Sequence, residues 1–384
     1  MANQFITPQR IICGSNALSE SKEFIKKLGR KALIVTTNSM IKNKCIEKLE
    51  SILDSLNIEY AVYCEKSGEP DDIMVKEGLA IFNQQKCDFF IGIGGGSPLD
   101  TMKAIAAMTS HSGELSDYMG KSFENPVPPM VAIPSTSGTG TEVTQFTIIT
   151  DSKTQVKMLL KGSVLMPSIA IVDPAFTMTM PPVVTAATGL DALTHAIEAY
   201  TSRKAQPLTD NFAISAIKRI FKFLPKAFKD GSDVTAREQM SLASLEAGIA
   251  FNNASVTIVH GMSRPIGALF HVPHGMSNAM LMSECFSFVA DGTYSRFGNL
   301  GREIGVANKD LSDKEASEKF INAVTQICKT CKVPTIKEYG IDIEKFKESI
   351  DKMSSDAMAS KSPLNCIKNV TEKDIKEIYK RLCN

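Results

Sequence analysis

Histidine is scarce in this chain, and it is clustered. Five of the 384 residues are histidine. Three of them, His260, His271 and His274, fall within VHGMSRPIGALFHVPHGMSN (259–278); the others are His111 and His195. His195 has an acidic companion. In GLDALTHAIEAY (189–200) Asp191 precedes it by four residues, so on a helix the two side chains share one face. Asp191 is flanked by apolar residues, where a carboxylate must be paired or coordinated, because burying it alone is very costly. Taken alone, this motif fits a plainer arrangement slightly better: Asp191 caps a helix after Gly189, and His195 is a satisfied core ring. His260 and His274 shift the balance. Each is followed by glycine, which permits the backbone to pack closely around a site. One carboxylate and three imidazoles suit Zn²⁺ or Fe²⁺ and leave positions open for a substrate oxygen. His111, in the polar loop TSHSGE, reads as a solvated ring.

A second chemistry is written in two turns. IGIGGGSPLD places Gly94, Gly95, Gly96 and Ser97 between a strand and a helix. Glycines let the backbone approach a ligand, and the helix that follows aims its free N–H groups and positive dipole end at the turn. That suits a pyrophosphate. The match is neither a GxGxxG fingerprint nor a P-loop, and alone it equally describes a tight strand-to-helix turn. IPSTSGTGTEVT (133–144) then follows the next strand with Ser135, Thr136, Ser137, Thr139, Thr141 and Thr144 spaced by Gly138 and Gly140. Small hydroxyls and bare amides satisfy phosphate and ribose oxygens without bulk. Turns after successive parallel strands fall on the same sheet edge, where open α/β sheets bind ligands, so together they favour a dinucleotide.

The elements that must position these residues change character along the chain. KALIVTT (31–37), EYAVYC (59–64), DFFIGIGGGS (88–97, running into glycines), MVAIPST (130–136) and SIAIVDP (168–174) read as short buried strands. Helical patterns at 41–56, 71–85 and 98–110 alternate with them. This predicts an α/β domain over residues 1–182 with a mostly parallel sheet. Beyond Pro181–Pro182, read as a hinge, apolar residues recur at three- and four-residue spacing, predicting an all-α domain over 183–384.

Composition narrows the function. Lys and Arg number 43 against 42 acidic residues, a net charge of +1, so no field for nucleic acid or a membrane surface is expected. MANQFITPQRIICG lacks the pattern of a secretory signal, and no apolar run reaches membrane-span length. Nine scattered cysteines then point to reduced thiols in the cytoplasm, and the pair Cys328–Cys331 reads as two thiols at a helix end.

In combination GGGSPLD, PSTSGTGTEVT, ATGLDALTHAIEAY, AGIAFNNASVTIVHGM and VPHGMSNAML resemble the iron-containing (group III) alcohol dehydrogenases, whose fold is shared with dehydroquinate synthase, and the resemblance covers essentially the whole chain. It implies an NAD(P)-dependent enzyme in which Fe²⁺, or Zn²⁺, held by Asp191, His195, His260 and His274, polarises the oxygen of a short primary alcohol, diol or aldehyde. It implies a pyrophosphate site at Gly95, Gly96 and Ser97 and a cofactor pocket completed by Thr136, Thr139, Thr144, Lys157 and Met178. Thr37, Asn38, Asp100, Ser137 and Phe146 are further candidates for that pocket. Phe251 matches a residue lining the substrate cleft, and the family suggests a homodimer with its active site between the domains. Three departures stand out: Arg264 replaces a histidine found in many relatives, His271 is extra, and Thr37 stands where NAD-preferring members carry aspartate. Arginine cannot serve as a base, so Arg264 is expected to position an oxygen, carboxylate or phosphate, or to make a structural ion pair; His271 is a candidate proton relay. Without an acid after the first strand, NADP is expected to be accepted and modestly preferred. A sugar-phosphate cyclase of the dehydroquinate synthase type would need a Lys and Arg cluster that is missing beside these histidines. A metal hydrolase would not need the two turns, and an NAD(P) sensor would not need the metal ligands.

Overall fold

The computed structural model describes residues 2–66 and 68–383. The chain forms two compact units: one spans Ile6–Thr179, and the other runs from Met180 onward and includes the segment through Phe5. The division therefore falls just before Pro181–Pro182 rather than after it. Pro182 is the first residue of the helix Pro182–Tyr200 and not a linker residue. Proline is well suited to that position, since its missing N–H would have had no partner there and its φ is already helical.

Among the described residues the first unit carries eight strands: β1 (Arg10–Cys13), β2 (Lys31–Thr37), β3 (Glu59–Glu65), β4 (Phe89–Gly94), β5 (Met130–Pro134), β6 (Phe146–Thr150), β7 (Lys157–Lys161) and β8 (Ile169–Val172). Six form one sheet in the order β1-β8-β5-β4-β2-β3, and every neighbouring pair is parallel. Strand alternation divides its core. Leu33, Val35 and Phe90 enter one apolar cluster, while Ala32, Ile34, Phe89, Ile91 and Ile93 enter the other. Both faces are thus covered, which is why these strands are nearly unbroken apolar runs. The four-residue β1 and the antiparallel ribbon β6–β7 (FTIIT, KMLLK) have no counterpart in the sequence reading. The chain leaves β2 towards β3 and returns on the other side of β2 as β4. The carboxyl ends of β2 and β4 therefore flank a topological switch point, where open sheets take their ligands.

The second unit is helical. Its first helix, Pro182–Tyr200, is buried at every residue from Gly189 to Tyr200. A helix apolar on all sides must lie inside, and this one carries Asp191, His195 and Glu198 inside with it. Pro207–Lys229, Val234–Ala254, Ile258–Phe270 and His274–Val289 follow in the chain, and one continuous apolar cluster joins them. Among the described residues no single helix is long and apolar enough to cross a membrane.

Candidate metal centre and dinucleotide-binding edge

Three helices bring the four expected ligands together. Asp191 and His195 lie mid-helix in Pro182–Tyr200, His260 is the third residue of Ile258–Phe270, and His274 is the first of His274–Val289. Asp191 is nine residues inside its helix and so is no N-cap. Its Oδ1 is 3.7 Å from His260 Nε2, 3.8 Å from His274 Nε2 and 4.0 Å from His195 Nδ1. Donors about 2.1 Å from a common ion stand at about such mutual distances, so this set fits a divalent metal. The side chains of Asp191, His195 and His260 are 3 to 7% exposed, whereas that of His274 is 37% exposed, which leaves the cluster one open side. Phe251 supports it from behind: its half-buried ring stacks on His195 at 4.1 Å, and His260 stacks on His195 at 4.4 Å.

The glycine after His274 acts as the spacing suggested, whereas the one after His260, Gly261, makes room for Pro363 instead. A Cβ on Gly275 would lie 2.3 Å from the Ala187 carbonyl oxygen and 3.2 Å from Asp191 Cβ. Only glycine allows the helix carrying His274 to approach the helix carrying Asp191 this closely.

Burial and the neighbouring charges compete over the protonation states. Burial opposes the charge on Asp191, but His195, His260 and His274 together hold that carboxyl well below its ordinary range. Burial also pushes His274 down to about 3 against the pull of Asp191, so its lone pair is free to bind. For His260 burial is outweighed by Glu198 and Asp191, which raise it.

Glu198 and Asn278 escaped the sequence reading. Glu198 is fully buried, three residues after His195 and seven after Asp191. Its Oε2 accepts from His260 Nδ1 at 2.6 Å, which turns Nε2 towards Asp191. Its Oε1 accepts from the Thr257 hydroxyl (2.9 Å) and the Val259 N–H (2.6 Å). One carboxylate thus fixes the tautomer of a ligand and caps the helix that carries it. Asn278 Nδ2 donates to Asp191 Oδ1 at 2.7 Å. The spacing Asp191, His195, Glu198 on one helix face was the signal for Glu198.

The remaining expected residues fall differently. His271 is exposed in the left-handed conformation that ends Ile258–Phe270 (φ 54°), and the structure does not bring it into the cluster. His111 is no loosely solvated ring. Nδ1 donates to the Ala107 carbonyl at 2.8 Å, and Nε2 accepts from the N–H groups of Glu124 and Asn125. Cys328 and Cys331 are two buried thiols at a helix end, each pushed up to about 12 by burial.

In the α/β unit the two polar turns touch. Gly94, at φ +151°, closes β4, and a Cβ there would strike Pro98 at 2.5 Å. Gly95 caps the helix Gly96–Met108, a Cβ on Gly96 would lie 3.0 Å from the Thr139 methyl, and Ser135 N–H donates to the Gly94 carbonyl at 2.7 Å. Thr136 and Thr139 are partly exposed beside this helix start, while Ser137 is buried. Some expected cofactor groups are already engaged. Ser97 Oγ donates to Glu65 Oε1 at 2.6 Å, and Lys157 is paired with Glu69 at 3.1 Å. Phe146 opens β6, and Met178 is half-buried in the turn before Thr179. At the end of β2 Thr37 Oγ1 meets Ser39 Oγ at 2.8 Å, and exposed Asn38 accepts from the Cys64 thiol.

Beneath the second turn lies Lys103, fully buried, which the sequence reading passed over. Nζ donates to the carbonyls of Thr141 (2.6 Å), Thr144 (2.6 Å) and Phe146 (3.1 Å) and to the Thr144 hydroxyl (2.9 Å). Burial pushes Lys103 down to about 8, against Asp100 and Glu142, and pushes each of those carboxyls up to about 7. Lys103→Met strands those carbonyls and both carboxyls. We expect a loss of about 3 kcal/mol in chemical denaturation. Dinucleotide affinity, read by nicotinamide fluorescence, should weaken about tenfold, since the turn loses its support.

A parallel sheet with a phosphate-ready switch point, joined in one chain to a buried Asp–His₃ cluster, is the layout of a metal-dependent, nicotinamide-linked dehydrogenase. Residues 8–174 match the iron-containing alcohol dehydrogenase family, and residues 185–383 match the C-terminal region of the same family. The chain belongs to this family and is an oxidoreductase of the alcohol dehydrogenase type. It is 37% identical over 383 residues to an NAD-dependent methanol dehydrogenase of Bacillus methanolicus, covering 99% of each chain. It is 35% identical over 382 residues to an NADPH-dependent butanol dehydrogenase of Clostridium saccharobutylicum, covering 98% of this chain and 97% of that one. A crystal structure of a 1,3-propanediol oxidoreductase superposes with a TM-score of 0.96 at 34% identity, covering 100% of both chains.

Proposed function

We propose that Asp191, His195, His260 and His274 hold a divalent metal, Fe²⁺ or Zn²⁺ according to cellular supply, and that the enzyme interconverts a short primary alcohol or diol and its aldehyde. The convergence of three imidazole nitrogens within 4.0 Å of Asp191 Oδ1 carries this reading. When bound, the metal acts as a Lewis acid on the substrate oxygen, and NAD(P)(H) accepts or gives the hydride. Glu198 keeps His260 in the ligating tautomer, Phe251 fixes the plane of His195, and the exposed edge of His274 admits the substrate. Gly95, Gly96 and Ser97 present backbone N–H groups to the pyrophosphate, with Thr136 and Thr139 beside them. The test mixes the protein, loaded with Fe²⁺ or Zn²⁺, with short neutral and acidic aldehydes and NADH or NADPH and follows nicotinamide absorbance. Absence of oxidation with every pairing refutes the reading.

The relatives divide over the cofactor, the methanol dehydrogenase being NAD-dependent and the butanol dehydrogenase NADPH-dependent. We propose that NADP(H) is accepted here and modestly preferred. Thr37, Asn38 and Ser39 end β2 without a carboxylate, and Glu65, in register with Thr37, is turned onto the hydroxyls of Ser97 and Thr101. Thr37→Asp should move the ratio of kcat/KM towards NADH by about tenfold, or 1.4 kcal/mol. A wild-type ratio already favouring NADH tenfold overturns the preference. We further place the enzyme in the cytoplasm as a homodimer. The first point is supported by nine free thiols and the second by the family resemblance, and light scattering tests the dimer.

A further inference from the structure

Arg264 donates from Nη1 to Ser362 Oγ at 3.1 Å, and among the described residues no ion pair joins it to the metal cluster. Another charge, in the α/β unit, stands at the ligand-binding edge. Glu65 ends β3, is 2% exposed, and lies in register with Thr37 at the carboxyl edge of the sheet. Its side chain reaches past β2 to the helix Gly96–Met108. Oε1 accepts from Ser97 Oγ at 2.6 Å and Oε2 from Thr101 Oγ1 at 2.9 Å, two hydroxyls one helical turn apart. Among the described residues no cation comes within 4.0 Å of this carboxylate; the adjacent Lys66 turns to Glu77 at 2.5 Å. The charge is held by two neutral hydroxyls and by the positive end of the helix dipole. Burial pushes the carboxyl up, and the two hydroxyls pull it back down. A hydroxyl has one proton, and Ser97 gives it to Glu65, so none is left for a phosphate oxygen. What Ser97 has to offer a pyrophosphate is its backbone N–H, at the helix start that Glu65 already occupies. Two anions then share one helix end.

Resting on the pyrophosphate placement above, we propose that Glu65 sets the affinity of the dinucleotide site: its carboxylate, fixed on Ser97 and Thr101, opposes the charge of the pyrophosphate and keeps the cofactor loosely held. Like charges repel more strongly across a buried medium than across water. A dehydrogenase must release its spent cofactor in every cycle, and release limits turnover in many enzymes. A counterweight beneath the phosphates speeds that step, because affinity differences are mostly differences in off-rate. The pyrophosphate in turn favours the neutral form of Glu65, so binding takes up a proton there and affinity rises as pH falls. The other charged groups around β3 are few. Lys66 and Glu77 pair with each other, Tyr63 is raised by burial and by Glu77, Glu65 and Asp71, and the Cys64 thiol donates to Asn38. Glu50 and Asp54, on the helix Cys45–Ser55, face Tyr60 nearer the start of the strand. On the helix Gly96–Met108, Asp100 is pushed up to about 7, chiefly by burial and in part by Glu65. Asp100 titrates in the working range, so the effect of Glu65 is read as a ratio between wild type and variant.

Calorimetry on the Fe²⁺-loaded protein tests this with ADP-ribose, which carries the pyrophosphate, and adenosine, which has no phosphate. Glu65→Gln keeps the volume and can still hydrogen-bond both hydroxyls. At pH 8 it should bind ADP-ribose about tenfold more tightly than the wild type, or 1.4 kcal/mol, with adenosine unchanged. NADH and NADPH, followed by nicotinamide fluorescence, should tighten alike. At pH 5.5 the gap should narrow, because the wild-type carboxyl then takes up its proton in the complex. Should Glu65→Gln not fold, Glu65→Met, which also removes the charge, carries the same comparison. ADP-ribose held no more tightly by the neutral variant overturns the inference. So does an equal tightening of adenosine, which would make the effect one of shape, or a gap that persists undiminished at pH 5.5. A change confined to NADPH also overturns it and would set the carboxylate against a 2′-phosphate instead. Gly96→Val separates this inference from the reading it rests on: a Cβ there lies 3.0 Å from the Thr139 methyl, so the variant should lose most of its ADP-ribose affinity. If Gly96→Val binds ADP-ribose like the wild type, the pyrophosphate placement falls and this inference falls with it; if Gly96→Val is weakened and Glu65→Gln unchanged, the inference alone falls.

Discussion

The His274→Ala protein should retain well under a tenth of an equivalent of Fe²⁺ after gel filtration and should turn over about a thousandfold more slowly, or less. The ring is the first residue of its helix and the one ligand with an exposed edge, so its loss opens the cluster to water on the substrate side. A Lewis acid is worth several kcal/mol at a developing alkoxide, and each 1.36 kcal/mol is a factor of ten, which sets the scale. Elemental analysis and steady-state rates decide it; near-stoichiometric metal with full turnover would remove His274 from the ligand set. Dinucleotide affinity should survive, because the two turns belong to the other unit. His271→Gln is the companion variant. Its side chain ends a helix in the open, so metal content and the pH–rate profile should stay where they are, and a moved profile would restore a relay role to it.

Glu198→Gln is expected to weaken metal binding by about ten- to a hundredfold in a chelator competition, although Glu198 is not itself among the four ligands. The substitution keeps the volume and removes the charge that orients His260. An amide oxygen can still accept from Nδ1 or from the Val259 N–H, but more weakly than a carboxylate. Glu198→Ala should be worse, leaving the N–H of Val259 and the His260 ring without a partner in a dry interior, and unfolding should come about 2–4 kcal/mol sooner. A Glu198→Gln protein with unaltered metal affinity would reduce this carboxylate to a helix cap.

What could be read from the chain, and what could not, follows from how far each signal travels. Asp191 and His195 were legible because an acid and an imidazole at helical spacing are conspicuous among alanines and leucines. His260 and His274 were legible because histidine is rare here and each precedes a glycine. The strands β2 and β4 were legible because a sheet covered on both faces needs uninterrupted apolar runs. Glu198 was not, although it stands on the same helix face as Asp191. An acid near a helix end usually faces water, and only the abutting start of Ile258–Phe270 reveals that it does not. Lys103 was hidden for the same reason, since its partners are backbone carbonyls 38 to 43 residues away. His111 was misjudged because its three hydrogen bonds are to backbone groups, which leave no mark on composition.

The contact between Gly275 and the Ala187 carbonyl has a bearing on which ion the protein carries. The span between Asp191 and His274 is set there by two main chains resting against each other, not by flexible side-chain reach. Such a frame cannot contract around a smaller ion or widen for a larger one without parting two helices of the core. Cations of nearly equal radius therefore meet the same fixed bite, and shape gives the site little means of telling Fe²⁺ from Zn²⁺ or Co²⁺. The choice among them is then expected to follow cellular metal supply, and reloading the folded, metal-stripped protein with each ion should give comparable affinities.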